Sequence, residues 1–173
     1  MAELELDLDP VDTITVGVEG EPGHRTFYLE ARQGRRSCTL VVEKVQLAEL
    51  GAQLLSVMED QEGIAVPAPD ATTGPLDPPG WRVGSIQISM DDPGGSCTLL
   101  LEELADPAQE AEEFALEPER RQVRLVASLG QMRGLADRCL RVVEGGRPIC
   151  PLCQLPMDAT GHVCPARNGH HPT

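Results

Sequence analysis

Strand-like stretches over residues 11–18, 26–32 and 36–43, rich in apolar side chains, alternate with turn signals. Gln33 and Gly34 supply the tight turn between the second and third of these runs. Over residues 45–60 the apolar spacing is that of a helix. Leu47, Leu50, Leu54, Leu55 and Met58 share one face of a helix, while Gln46, Glu49, Gln53 and Glu59 look outward. Residues 61–80 break the pattern with Pro67, Pro69, Pro75, Pro78 and Pro79, and read as a linker or loose loop. The pattern then restarts: strands over 81–90, 96–103 and 121–127, a turn at 91–95, an acidic loop reaching residue 119, and a helix over 129–143. Ser128 with Gln131 forms a capping box at the start of that helix, and Gly145, Gly146 and Pro148 stop it.

Each half therefore reads strand, strand, strand, helix. Short links between the strands make the sheet or sandwich largely antiparallel, so the expected class is α+β with both helices covering one sheet face. A shift of 85 positions lays Leu47, Leu50, Leu54, Leu55 and Met58 over Met132, Leu135, Cys139, Leu140 and Val143, and Leu40, Val41 and Val42 over Leu125, Val126 and Ala127. An internal duplication over about residues 11–60 and 81–144, joined by the proline-rich link, is the expectation. The two Ser-Cys-Thr-Leu stretches, at 37–40 and 96–99, fall on different strands of the two units and do not support that register. The body spans residues 1–146, and residues 147–173 form a small tail.

Composition narrows the function classes. With 173 residues, 40% apolar and 24% charged, the chain has the size of one domain with a small appendage. Two Phe, one Tyr and one Trp are too few for the stacking platforms of single-strand nucleic-acid binders, so the core rests on aliphatic side chains. A net charge of −14 opposes general affinity for nucleic acid or anionic lipid. The charge is uneven: residues 1–119 carry 25 acids against 6 bases, whereas residues 120–173 carry 3 acids against 8 arginines. The two segments either face each other or water, or the second forms a local anion-binding surface. No apolar run approaches the ~20 residues of a membrane span, and the N-terminus opens on acidic alternation in place of a basic region and apolar stretch. A soluble, cytoplasmic protein is expected.

The densest chemistry is in the tail, where Cys150 and Cys153 form a Cys-x-x-Cys knuckle and His162 and Cys164 follow. A knuckle turn leaves both sulfurs on one side, and a second hairpin bearing His162 and Cys164 completes a tetrahedral Cys₃His site for structural zinc. Such a site is closed, with no open position for a reacting water. Only Val163 separates His162 from Cys164, so His170 or His171 is the alternative fourth ligand; a redox Cys150–Cys153 pair and a tail without a metal are the other readings. Cys38, Cys97 and Cys139 sit in apolar elements and read as core thiols. The loop of residues 17–25 has the glycines of a phosphate cradle but leads into a strand, with no Lys-Ser or Lys-Thr after it, so it reads as a turn. In it, His24 and Arg25 are the candidate proton-transfer and anion-binding groups. No nucleophile is tied to His24 by a motif, and no catalytic residue is assigned. Asp91-Asp92 reads as a hairpin loop, and the eight acids from 102 to 119 as a solvated loop or a docking segment for a basic partner.

Taken together, the segment Gly20-Glu21-Pro22-Gly23-His24-Arg25-Thr26-Phe27-Tyr28-Leu29-Glu30-Ala31-Arg32, the run Leu40-Val41-Val42-Glu43-Lys44, and the tail motifs Gly146-Arg147-Pro148-Ile149-Cys150-Pro151-Leu152-Cys153 and Gly161-His162-Val163-Cys164-Pro165-Ala166-Arg167-Asn168-Gly169 resemble the actinobacterial domain-of-unknown-function family 3090. The resemblance spans nearly the whole chain and implies a zinc-ribbon-like tail with Cys150, Cys153, His162 and Cys164 as the matching positions. It departs at His170-His171-Pro172-Thr173, where the family tends to finish on an aromatic and arginines. It carries no activity across. The expected function is a non-catalytic binding or adaptor protein whose zinc-stapled tail, with Arg147 and Arg167 beside it, docks a protein partner. The alternative is an enzyme acting on a small anionic metabolite through the 20–25 loop, and a nucleic-acid-associated regulator is the weaker third reading.

Overall fold

The computed structural model describes residues 3–21, 24–61, 63–67, 75, 77–91, 95–105, 120–145, 152–153 and 164. The expected acidic loop beyond residue 105, the tip of the turn at 92–94 and most of the tail lie outside the described residues. The elements are β1 (Glu3–Leu8), β2 (Thr13–Glu19), β3 (Thr26–Gln33), β4 (Arg36–Val42), α1 (Lys44–Val57), β5 (Val83–Asp91), β6 (Ser96–Glu103), β7 (Arg121–Ser128) and α2 (Leu129–Glu144). Their class is α+β, as the periodicities require.

The strands form two sheets, one ordered β1-β7-β6-β5 and the other β2-β3-β4. Among the described residues every pairing between these strands is antiparallel except that of β1 with β7, and an isolated parallel bridge joins Val41 to Arg82. The strand β1 has no counterpart in the sequence reading, which took residues 3–8 only as acidic alternation. Leu4, Leu6 and Leu8 alternate there with acids, and a parallel partner distant in sequence makes the stretch a strand: Leu8 sits opposite Leu125 and is wholly buried. The β3–β4 turn is one residue later than expected. Gln33 pairs with Arg36, so Gly34 and Arg35 make the loop, and Gly34 supplies its positive φ of 59°.

Alternate residues of each strand enter one common core. In the larger sheet the buried row runs from Leu8 through Leu125 to Leu99, and in the smaller from Val16 through Leu29 to Leu40. Each fully buried leucine contributes about 2–3 kcal/mol of transfer free energy. The helices add Leu47, Leu50 and Leu54 from α1 and Met132, Leu135, Ala136 and Cys139 from α2. They lie on one another closely: a Cβ at Gly51 would stand 3.1 Å from Cys139 Cβ and 3.2 Å from the Ala136 carbonyl oxygen. Glycine at residue 51 is what permits that approach.

Both helices begin in the same way. The Glu43 N–H donates to Gln46 Oε1 at 2.8 Å, and the Ser128 N–H donates to Gln131 Oε1 at 3.0 Å. The amide groups of these glutamines then reach across the molecule. Gln46 Nε2 donates to the carbonyls of Val83 and Gly84 at the head of β5, and Gln131 Nε2 to those of Val11 and Asp12 ahead of β2. Each unit's helix thus holds the first strand of the other. The third strands do so as well: the Val41 N–H donates to the Trp81 carbonyl, and the Val126 carbonyl accepts from the Val11 N–H.

Much of the charge asymmetry is resolved within the larger sheet. Arg124 donates to Asp7 at 2.9 Å and to Asp9 at 3.3 Å, Arg120 meets Glu102 at 3.0 Å, and Arg121 forks onto Glu103. The arginines of β7 therefore face acids of the first 119 residues, one of the two arrangements the composition allowed. Arg121 also lies over the Trp81 ring, 5.8 Å from its centroid, while Trp81 Nε1 donates to Glu5 at 2.7 Å.

Candidate functional site

Among the described residues β2 pairs with β3 on one side only, so its other edge offers backbone carbonyls. The helix α2 runs along that edge. Gln131 clamps its start as described, and about two turns later Arg138 Nε donates to the Val16 carbonyl at 2.7 Å. Spacing of three and four places Gln131, Gly134, Leu135, Arg138 and Arg141 on the face toward β2. A third wall comes from residues 65–67. Gly130 and Gly134 give it room, for a Cβ at Gly130 would stand 2.1 Å from the Ala65 carbonyl oxygen, and one at Gly134 3.2 Å from Val66 Cγ1.

These walls enclose a cleft of about 840 Å³, large enough for a metabolite. Asp12, Thr13 and Thr15 line its strand side, Val66 and Pro67 the loop side. A second cavity of about 480 Å³ continues from it, sharing Arg138 and Arg141 and adding Arg25, Val18, Gly20 and Gly145. The wider part carries two carboxylates, Asp12 and Asp137, whereas the narrower part carries three arginines and, among the described residues, no carboxylate. Arg25 Nη1 donates to the Gly145 carbonyl at the C-terminal end of α2, at 3.4 Å.

The loop reading is divided by this geometry. Arg25 is brought to the cleft, but His24 is exposed and lines neither cavity, its backbone N–H donating to the Glu21 carbonyl at 2.9 Å. Sequence reasoning did not single out Arg138 and Arg141. Their only signal was the basic balance after residue 119, because nothing in a helical pattern says that one face will lie against a strand edge in the other half. Tyr28 is close to the same place: burial raises its pKa above 10.0, Glu30 adds to the rise, and the charge of Arg138 opposes it.

Of the proposed zinc ligands, Cys153 is half-buried and Cys164 is buried, while Cys150 and His162, and the alternates His170 and His171, lie outside the described residues. Among the described residues no three potential ligands gather. The core thiols are where the apolar pattern put them. Cys97 and Cys139 are wholly buried and Cys38 is partly so; burial pushes their pKa values up to about 11, about 12 and about 11 respectively. A thiol held protonated in this way is a poor nucleophile.

Fold and site together define an α+β protein of two sheets, with an arginine-ended cleft where the second unit's helix meets the first unit's free strand edge. The sequence matches the family described as "Protein of unknown function (DUF3090)" over residues 6–164, and the chain belongs to that family. No curated protein and no solved structure matches it. No helix among the described residues is long and apolar enough to cross a membrane.

Proposed function

We propose that this protein is a non-catalytic binding protein that seats a small anionic ligand in the cleft between β2 and α2, and whose tail, residues 147–173, is stapled by structural zinc and contributes to docking a protein partner. One observation carries the ligand part: Arg25, Arg138 and Arg141 converge on one end of a metabolite-sized cleft in a chain of net charge −14. A positive pocket in a negative surface focuses anions locally while the rest of the molecule repels them.

For the tail, the support is the donor set itself. Three thiolates and one imidazole suit tetrahedral zinc, and the ion, when bound, cross-links a segment with little apolar surface of its own. Cys150, Cys153, His162 and Cys164 would hold it. The second reading, an enzyme acting on the same anion, is favoured by the placement of Arg25 from the 20–25 loop at the cleft.

The test is a thermal-shift panel of small phosphates and carboxylates on wild type, Arg141→Ala and Cys153→Ser, with metal content measured on each preparation. A ligand at a hundredfold its Kd stabilises by about 2.7 kcal/mol, a shift of several degrees. The expected result is an anion-dependent shift that Arg141→Ala loses, with one zinc per chain that Cys153→Ser loses. No shift with any anion overturns the ligand reading. Consumption of the stabilising anion replaces it with the enzyme.

A further inference from the structure

The cleft exists twice in outline. Gln131, Leu135 and Arg138 of α2 face Asp12, Thr13 and Ile14 across the large cavity. Gln46, Leu50 and Gln53 of α1 face Gly84, Ser85 and Ile86 across one of about 170 Å³. The helix positions correspond at the same separation of 85 residues, and the glutamine clamp is the same in both. At the position of Arg138 the first groove carries neutral Gln53, Glu49 also lines it, and Ser56, at the position of Arg141, lies outside its lining. The same helix-on-edge packing therefore stands without guanidinium groups, and the two arginines are additions to one groove.

Resting on the binding-protein reading above, we propose that the ligand is an organic phosphomonoester, its phosphate held by Arg25, Arg138 and Arg141 and its hydroxylated body lying along Asp12, Thr13 and Thr15. One feature selects phosphate over carboxylate, and two more fit the site to an anion. The guanidinium groups approach from two separate places, the loop residue just ahead of β3 and two successive turns of α2, which suits the three outward oxygens of a phosphate better than the two coplanar oxygens of a carboxylate. Arg138 uses Nε on the Val16 carbonyl, and among the described residues no hydrogen bond occupies its two terminal nitrogens. Arg25 covers the Gly145 carbonyl and so offsets the partial negative charge at the end of α2 that would otherwise repel an anion.

The wide part selects the body. Asp12 and Asp137 reject a second negative charge there, and with the hydroxyls of Thr13 and Thr15 they offer acceptors and donors to a polyhydroxy group. Asp12 Oδ2 accepts from the Gly34 N–H at 2.6 Å, and among the described residues no hydrogen bond is made to Oδ1. Ile14, Val66 and Leu135 give the carbon skeleton an apolar surface.

Calorimetric titration of the full chain with ribose 5-phosphate, ribose, gluconate and inorganic phosphate tests this. Ribose 5-phosphate is expected to bind at least about tenfold more tightly than gluconate and than inorganic phosphate, and ribose not measurably, as charge-assisted contacts to a dianion require. Arg141→Ala, at an exposed position, is expected to weaken ribose 5-phosphate by about tenfold or more. Arg138→Lys serves as the second variant, because it keeps the charge but loses the fork. Gln53→Ala in the smaller groove leaves binding unchanged. Equal affinity for gluconate overturns the phosphate inference while leaving the anion reading intact. Equal affinity for inorganic phosphate overturns the seat for the body. Binding that survives Arg141→Ala and Arg138→Lys unaltered overturns the placement, and silence toward every anion overturns both readings.

Discussion

A methyl group at Gly17 would stand 2.3 Å from Cζ and from the hydroxyl oxygen of Tyr28, its cross-strand neighbour. The absent side chain is what lets the buried Tyr28 ring lie across β2. Gly17→Ala should therefore displace the ring and lower stability by about 1–3 kcal/mol, read as a fall in the urea midpoint. An unchanged midpoint would mean that the ring has other room. No strand pattern announces this role, because the requirement comes from a residue on the opposite strand. Charge was legible in the same way that packing was not: Arg25 was recognised as an anion-binding candidate from its loop, yet its neighbours at the site, Arg138 and Arg141, are supplied by a helix more than a hundred residues later. The core thiols needed no such information. Cys97 lies in an apolar strand and Cys139 on the apolar face of a helix, and each is buried for that reason.

Helix boundaries follow local chemistry closely, as the capping box at Ser128 shows. Gln131 nevertheless does two things, and only the first is local: Oε1 accepts from the Ser128 N–H, and Nε2 binds the Val11 and Asp12 carbonyls. Gln131→Glu keeps the acceptor and replaces the donor with a charge against two carbonyls. The expected cost is about 1–3 kcal/mol in urea or thermal unfolding, with a smaller effect for Gln131→Met, which leaves the carbonyls unpartnered without repulsion. If Gln131→Glu matches wild type, the clamp contributes nothing and the edge of β2 is held by Arg138 alone. Strand β1 marks the opposite limit. Its leucines alternate as clearly as those of any strand, but six residues with three acids carry weak strand propensity until β7 lies alongside.

Across the molecule the buried thiols and Tyr28 make stability pH-dependent on the alkaline side. Above about pH 9 an unfolded chain releases thiol protons that Cys97 and Cys139 retain until about 11 and about 12 when folded. The folded state then binds more protons than the unfolded one, so stability falls as pH rises. For each of these two wholly buried thiols the slope reaches on the order of 1 kcal/mol per pH unit, and Tyr28 adds to it above pH 10. Urea midpoints should be lower at pH 10 than at pH 8, and the difference should shrink in Cys97→Ala/Cys139→Ala. An equal midpoint at both pH values would show that these groups ionise in the folded state.

The order strand-strand-strand-helix, repeated, was determined by the sequence, because hydrophobic period, proline breaks and caps act over a few neighbouring residues. The α+β class and most element boundaries came with it. Tertiary structure alone decided that the strands divide into two sheets, that β1 closes one of them against β7, and that each helix lies on the first strand of the other unit. Such pairings balance the loss of chain entropy against burial summed over the whole core, and residues far apart in sequence carry no local mark of that balance. The cleft belongs to the second group for the same reason: its arginines are ordinary helix-surface and loop residues until α2 is laid along the free edge of β2.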